Sequence, residues 1–503
     1  MGEIRSMIRT SFILLFALYF STFQIRIITI TDSILNTEGS YFKLSICLLV
    51  GVIFWFLPVP EGVPIEGWHS FAVFIAVILS FILRPFSMGT MVIFGLMTLM
   101  LTKTLTVEKA LSGYGNSTVW LVVAAFLIAG SVIKTGFGQR IALMLVKRFG
   151  RSILGLCYAM TTAELILGPI VPSNTARGGG ILAPINRSLA EALDSFPEDK
   201  PERAGAYLTT LGAHANLITA AMFLTGMAAN PVLAESAKVV FGIEFTWGMW
   251  ALGAIVPGLL GLALLPPFIK LLTKPELTDT KAAQESAESD LKKMGDWSTG
   301  ELIMGAIFVI LLILWSTKSL HGMGTTLVAW IGVTLLLLTK TQRWDEMAQN
   351  SKAWDTLIWL GGLLTMANTL KTHGMVDWFA NVMRLMLSDM QGLTIVILMG
   401  LIYFYSMYAF SMLTAHIFAL ATAFFSVALG VGAPTLLIIA LLAYFSNLCA
   451  CTTNYSTGPV IIYFGLGYVK PPRWFSIGFL VSLFHIGIWL TVGLAWWKVL
   501  GWW

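Results

Sequence analysis

Apolar residues along this chain fall into long runs with almost no charge inside them, separated by short polar stretches. A helix needs roughly 20 predominantly apolar residues to cross a bilayer. Runs approaching that length predict spans over 41–57, 68–84, 87–102, 118–134, 207–229, 246–272, 301–317, 323–339, 356–370, 392–410, 433–450 and 474–499. Two further apolar stretches, 153–190 and 411–430, are interrupted by Gly, Pro, Ser, Thr, Asn, Arg or His. Residues 187–204 and 273–298 hold much of the charge and are expected to be solvated loops; the second divides the chain near its middle. The expected organisation is therefore a first half over 41–272, a linker over 273–298 and a second half over 299–503. Residues 8–30 are basic and then apolar, the outline of a signal peptide, but no small-x-small cleavage site follows. Arg26 also weakens them as a span, so residues 1–40 are read as an extra first span or an interfacial helix.

The two halves echo each other. Leu101–Thr104 and Leu338–Thr341 both read Leu-Thr-Lys-Thr, 237 residues apart, and Lys-Thr recurs at Lys134 and Lys371 with the same offset. Trp-Leu opens the preceding span in each half, at Trp120 and Trp359. Thr175–Arg177 faces Thr414–His416 at an offset of 239, and Asn-x-x-Thr at Asn216/Thr219 faces Asn454/Thr457 at 238. Two halves with matching broken segments are the pattern of secondary transporters, whose repeats are often inverted. Opposite orientation of the two halves is the expectation, subject to the number of crossings between them.

Composition narrows the class. Of 503 residues, 57% are hydrophobic and 11% charged, against about 25% charged in soluble domains. The net charge of +5 is spread between apolar runs, which argues against a nucleic-acid partner. The lipid bilayer is the expected surrounding. Arg140, Lys147, Arg148 and Arg151 favour a cytoplasmic location for their segment, and Arg5 and Arg9 for the N-terminus. Cys47, Cys157, Cys449 and Cys451 lie in apolar surroundings and are read as reduced packing residues.

Candidate chemistry sits in the broken segments. In the run Gly168–Gly180, Pro169 and Pro172 stop a helix, three glycines follow, and Ser173, Asn174, Thr175 and Arg177 lie between. Unpaired backbone in hydrocarbon costs several kcal/mol, so such a segment persists only inside protein or beside a watery cavity. A helical hairpin with its tip at the midplane would present hydroxyl and amide donors and helix N-termini to an anion. Ser411, Thr414 and His416 take the equivalent position in the second half, although a lone Ser or Thr in a span usually bonds its own helix. Asn216, Thr219 and Thr225, and Asn454, Ser456 and Thr457, suit either a site or close helix packing. Gly458-Pro459 and Asn230-Pro231 are expected to break their helices at similar depth. Glu164 is read as a buried partner for Lys or Arg, or as a proton relay, and His214 as a packing residue. No catalytic, metal or cofactor motif is present, so neither an enzyme nor a cofactor is expected.

The runs PSNTARGGG, LTKTLT, AMFLTGMAANP and TNYSTGPVIIYFG resemble the divalent anion/sodium symporter family, from about Gly62 to the C-terminus. The likeness is to bacterial citrate/succinate antiporters and plastid 2-oxoglutarate/malate translocators. That resemblance implies an all-α polytopic homodimer in a bacterial inner membrane, with two inverted repeats, two re-entrant hairpins, and a scaffold and a transport domain moving as an elevator. It implies di- or tricarboxylates held at two Ser-Asn-Thr tips. The first matches Ser173–Thr175; at the second, near Met412–Thr414, only the Thr is kept. Sodium-coupled members bind cations beside the tips, where this chain has Arg177 and His416. The expected function is sodium-independent exchange, with sodium-coupled symport as the alternative. Arg177 is expected to supply a fixed charge to the substrate, or else to cap its hairpin.

Overall fold

The computed structural model describes residues 40–386, 392–410 and 412–503. The expected N-terminal element over 8–30 lies outside these residues. Among the described residues the chain is helical without a β-strand, and eight helices are long and apolar enough to cross a membrane. The predicted spans fall on helices Tyr41–Phe56, Ile65–Leu83, Met88–Leu101, Ser117–Thr135, Gly205–Met222, Trp247–Thr273, Thr299–Ser316, Thr325–Leu338, Ser351–Thr372, Gly392–Tyr405, Thr435–Leu448 and Pro471–Ile488.

One prediction overruns. The apolar run 207–229 is helical only to Met222; Phe223 is extended, and a 3-10 turn over Leu224–Gly226 follows. Asn230 holds the break open: its Nδ2 donates to Ala220 O at 2.8 Å and Phe223 O at 2.9 Å. These are end carbonyls the helix itself cannot satisfy. Pro231 and Pro459 each lie in the first turn of the helix that restarts after a break, where a missing N–H costs nothing. The breaks thus precede these prolines.

Helix Trp247–Thr273 tolerates Pro257 and Pro267 because other helices take the carbonyls they free. Gly253 O accepts from Trp497 Nε1 at 2.9 Å, and Ala263 O from Tyr158 OH at 2.7 Å.

Two faces emerge from the contacts. On one, the Lys134 end of Ser117–Thr135 lies beside Glu346 (2.6 Å) and Thr341 O (3.2 Å). On the other, Ser117 O accepts from Thr326 Oγ1 at 3.0 Å, and Asn116 donates to Glu235. Helix Ser351–Thr372 runs antiparallel to Ser117–Thr135: Asn350, just before it, donates to Phe126 O, and Thr365 Oγ1 donates to Ala110 O. Lys371 therefore lies toward the face opposite Lys134. The two Leu-Thr-Lys-Thr turns share one geometry. Lys103 and Lys340 are both left-handed, at φ 59° and 55°, and Thr102 and Thr339 each bond back into the preceding turn. The Asn-x-x-Thr match is different. Asn216 and Thr219 lie inside a continuous helix, whereas Asn454 and Thr457 lie in the unwound stretch before Gly458. They are not equivalent places.

The linker departs from a solvated loop. Residues Lys281–Met294 form a helix whose Ala283 and Ala287 are buried. Arg140 anchors its end, reaching Gly295 O at 2.9 Å, Asp296 O at 3.2 Å and Glu301 at 2.6 Å. Lys147 pairs with Glu288, and Thr280 Oγ1 donates to Gly150 O. The charge pattern shows only the exposed side of this helix; the alanine side is held down by Arg140 and helix Phe137–Phe149.

Candidate functional site: two hairpin tips at the centre of the bundle

The first hairpin runs from helix Ile153–Leu167 through a tip to a π-helical turn, Thr175–Leu182, and helix Ala183–Ala192. Both its ends lie against residues 276–280: Ser152 bridges to Asp279, and Glu202 O accepts from Glu276 N. The element enters and leaves on one face. Prolines stop the first arm, and Asn174 restarts the second by accepting Thr175 N at 3.0 Å. Ser173 Oγ accepts Ala176 N at 3.1 Å. Gly178 is needed for close approach, since a Cβ there would lie 2.6 Å from Asn216 Nδ2.

Arg177 is fully buried and wholly partnered. Nε donates to Glu164 Oε1 at 2.7 Å; Nη1 reaches Val171 O at 2.8 Å, Gly226 O at 3.0 Å and Gly168 O at 3.4 Å; Nη2 reaches Thr219 Oγ1 at 3.2 Å. Asn216 Nδ2 also donates to Glu164 Oε1 at 2.5 Å and to Asn174 O at 3.2 Å. This corrects the expectation of a free charge facing substrate. The guanidinium is neutralised by Glu164 thirteen positions earlier and caps the carbonyls of its own hairpin. Glu164 takes the partner role. Asn216 and Thr219 hold this pair, and Thr225, donating to Pro169 O at 2.7 Å, holds the tip backbone.

The second hairpin pairs Gly392–Tyr405 with Leu413–Gly430. His416 staples its arms, with Nε2 lying 2.8 Å from Ser406 Oγ and 3.0 Å from Tyr403 O. Its ring packs edge-on against Tyr403 and Phe410. Like Arg177, it bonds back to the first arm of its own hairpin. Ser411 lies outside the described residues.

The tips meet at the second unwound stretch. Asn174 Nδ2 donates to Thr457 Oγ1 at 3.3 Å, and Leu413 N donates to Ser456 O at 2.7 Å. Gly458 lies so close to Thr175 that a Cβ would collide with its hydroxyl. The N-terminal ends of three helical segments, starting at Thr175, Leu413 and Gly458, thus converge. Each presents a partial positive charge. Thr175, Thr414 and Asn454 are half-buried, and their side chains make no hydrogen bond to another described residue. Ser456 is spent on Ala450 O at 2.6 Å. His214 stacks on Trp474 as a packing residue.

A further contact is not foreshadowed by any motif: Asn447 Nδ2 donates to Asn230 Oδ1 at 2.9 Å, tying the two broken helices together. Its signal was a single amide inside the apolar run of Thr435–Leu448.

Helices interrupted inside an apolar bundle, with their N-terminal ends turned toward one another, are the pattern of a membrane transporter. The comparisons agree. Residues 38–503 match the sodium:sulfate symporter transmembrane region, and the chain belongs to that family, the divalent anion/sodium symporters. It is 45% identical over 461 residues to YflS of Bacillus subtilis, a protein named as a malate transporter, covering 92% of this chain and 96% of that one. It is 39% identical to the chloroplastic dicarboxylate transporter 1 of Spinacia oleracea (93% and 83% covered). It is 32% identical to the citrate/succinate antiporter of Escherichia coli (93% and 99% covered). In fold it is similar to the YdaH transporter of Alcanivorax borkumensis, with a TM-score of 0.55 at 12% identity, covering 93% of this chain and 99% of that one.

Proposed function

We propose that this chain exchanges di- and tricarboxylates of the 2-oxoglutarate, malate and succinate class across a bacterial inner membrane without sodium. One observation carries the sodium independence. The Arg177 guanidinium sits among the carbonyls of Val171, Gly226 and Gly168, the kind of oxygen cage that suits a bare cation. A cation tethered to the chain stands there in place of one that could enter and leave. His416 takes the matching position in the other hairpin. The names of the related transporters, malate, dicarboxylate and citrate/succinate, favour the substrate class and exchange.

The three converging helix ends, with Thr175, Thr414 and Asn454, would receive the substrate carboxylates. Ser173, Asn174 and Thr457 frame that place rather than face it. The opposed positions of the Lys134 and Lys371 ends favour two inverted repeats, with hairpins entering from opposite faces. Lys147, Arg148, Arg151, Lys200, Arg203, Lys274 and Lys281 lie in segments that meet on one face, which favours the cytoplasmic side for that face. In this reading the two hairpins and the broken helices move together as the transport domain of an elevator. The remaining helices form the scaffold of a homodimer.

The test is uptake into proteoliposomes preloaded with a panel of carboxylates. Exchange should require internal substrate and be unchanged when choline replaces sodium. Uptake into empty vesicles driven by an inward sodium gradient would establish symport instead.

A further inference from the structure

Beside Glu164 lies a small cavity lined by Thr161, Glu164, Asn186, Gly212 and Tyr463, with apolar walls from residues such as Met160. About 10 Å3 is open to the centre of a water molecule, which is room for one water. The two oxygens of Glu164 are treated very differently. Oε1 accepts from Arg177, Asn216 and Thr219. Oε2 is buried and has no hydrogen-bond partner among the described residues. Asn186 Oδ1 and Thr161 Oγ1 are in the same condition. Asn186 spends its amide hydrogens on Leu208 O at 3.4 Å and Tyr463 OH at 3.3 Å, which leaves its oxygen over.

We propose that this cavity is a binding site for one structural water. The stoichiometry closes. A water has two protons for the two acceptors, Glu164 Oε2 and Asn186 Oδ1, and a lone pair for the Thr161 hydroxyl proton. That makes the three bonds typical of a buried water. A sodium ion would meet the same three oxygens and the Tyr463 hydroxyl, with no second carboxylate. It would also add a net charge beside an ion pair that is already neutral. The water spans the first hairpin, which supplies Thr161, Glu164 and Asn186, and it sits against the Gly458–Gly465 helix at Tyr463. By fixing Oε2 it fixes the carboxylate plane that orients Arg177.

A structure of the full-length protein at a resolution that shows ordered water tests this directly. One density peak at hydrogen-bond distance, ~2.7–3.0 Å, from Glu164 Oε2, Asn186 Oδ1 and Thr161 Oγ1 is expected. An empty cavity, or Thr161 donating straight to Glu164, overturns the proposal. In solution, Thr161→Val keeps the shape and removes the donor, so its melting temperature should fall, while Thr161→Ser should melt like the wild type. Thr161→Val melting like the wild type would overturn the water. A sodium-specific rise in melting temperature that Thr161→Val abolishes would mean that the cavity holds a cation, and would overturn it too.

Discussion

Replacing Arg177 is the most informative perturbation, because its two duties separate in a double-mutant cycle. Arg177→Met leaves the Glu164 carboxylate buried, with only the neutral donors Asn216 and Thr219. Breaking one side of a buried pair costs about 3–5 kcal/mol. The variant also strips donors from Val171 O and Gly226 O, at about 1–3 kcal/mol for each carbonyl left unsatisfied. The total approaches the whole margin of a typical fold, about 5–15 kcal/mol. Arg177→Met should therefore melt far below the wild type. Adding Glu164→Gln removes the stranded charge and should recover much of the first cost, because the two residues touch and do not add. Thermal unfolding of the purified variants in detergent, with exchange measured in proteoliposomes, reads both duties. The double variant should melt well above Arg177→Met yet lose sodium-free exchange. If it melts no higher than the single variant, the pair is not coupled as the 2.7 Å contact implies. If it exchanges carboxylate without sodium at the wild-type rate, the tethered-cation reasoning fails.

Three further outcomes are expected. Gly458→Ala should cut exchange at least tenfold while the protein still folds, because its Cβ would collide with the Thr175 hydroxyl and part the tips; wild-type exchange would mean that the tips do not have to meet. In a background lacking the native cysteines, Lys134→Cys and Lys371→Cys should react with a membrane-impermeant thiol reagent from opposite faces, and reaction from one face would rule out inverted halves. The hydrogen bond from Lys134 holds the Glu346 carboxyl below its usual range. That pair therefore contributes above the ordinary carboxylate pKa and is lost as pH falls through the depressed value. Glu346→Gln should flatten a small acid-side loss of melting temperature, small because the pair is exposed, and an unchanged acid limb would discount the pair.

Much of this protein is legible along the chain because its signals are local. A run of apolar residues long enough to cross a bilayer must be paired internally, so its helices follow from length alone. Pro169, Pro172 and the glycines after Arg177 interrupt such a run visibly, and the two Leu-Thr-Lys-Thr turns adopt the same left-handed lysine wherever they occur. The tips, the polar residues at them and the partner role open to Glu164 could all be read in this way. Partnership is another matter, because it is a property of distance. Nothing in sequence sets Arg177 against Gly226 O or ties Asn447 to Asn230, since each pair forms only once particular helix faces have packed. The end of helix Gly205–Met222 at Phe223 is invisible to hydropathy, because the residues on both sides are equally apolar and the freed carbonyls are taken by side chains from elsewhere, Asn230 and the Trp250 indole. Charge was readable as composition, but its meaning was not. Whether a buried arginine faces a substrate or a glutamate depends on which oxygen lies within hydrogen-bond reach, and the folded chain put Glu164 there.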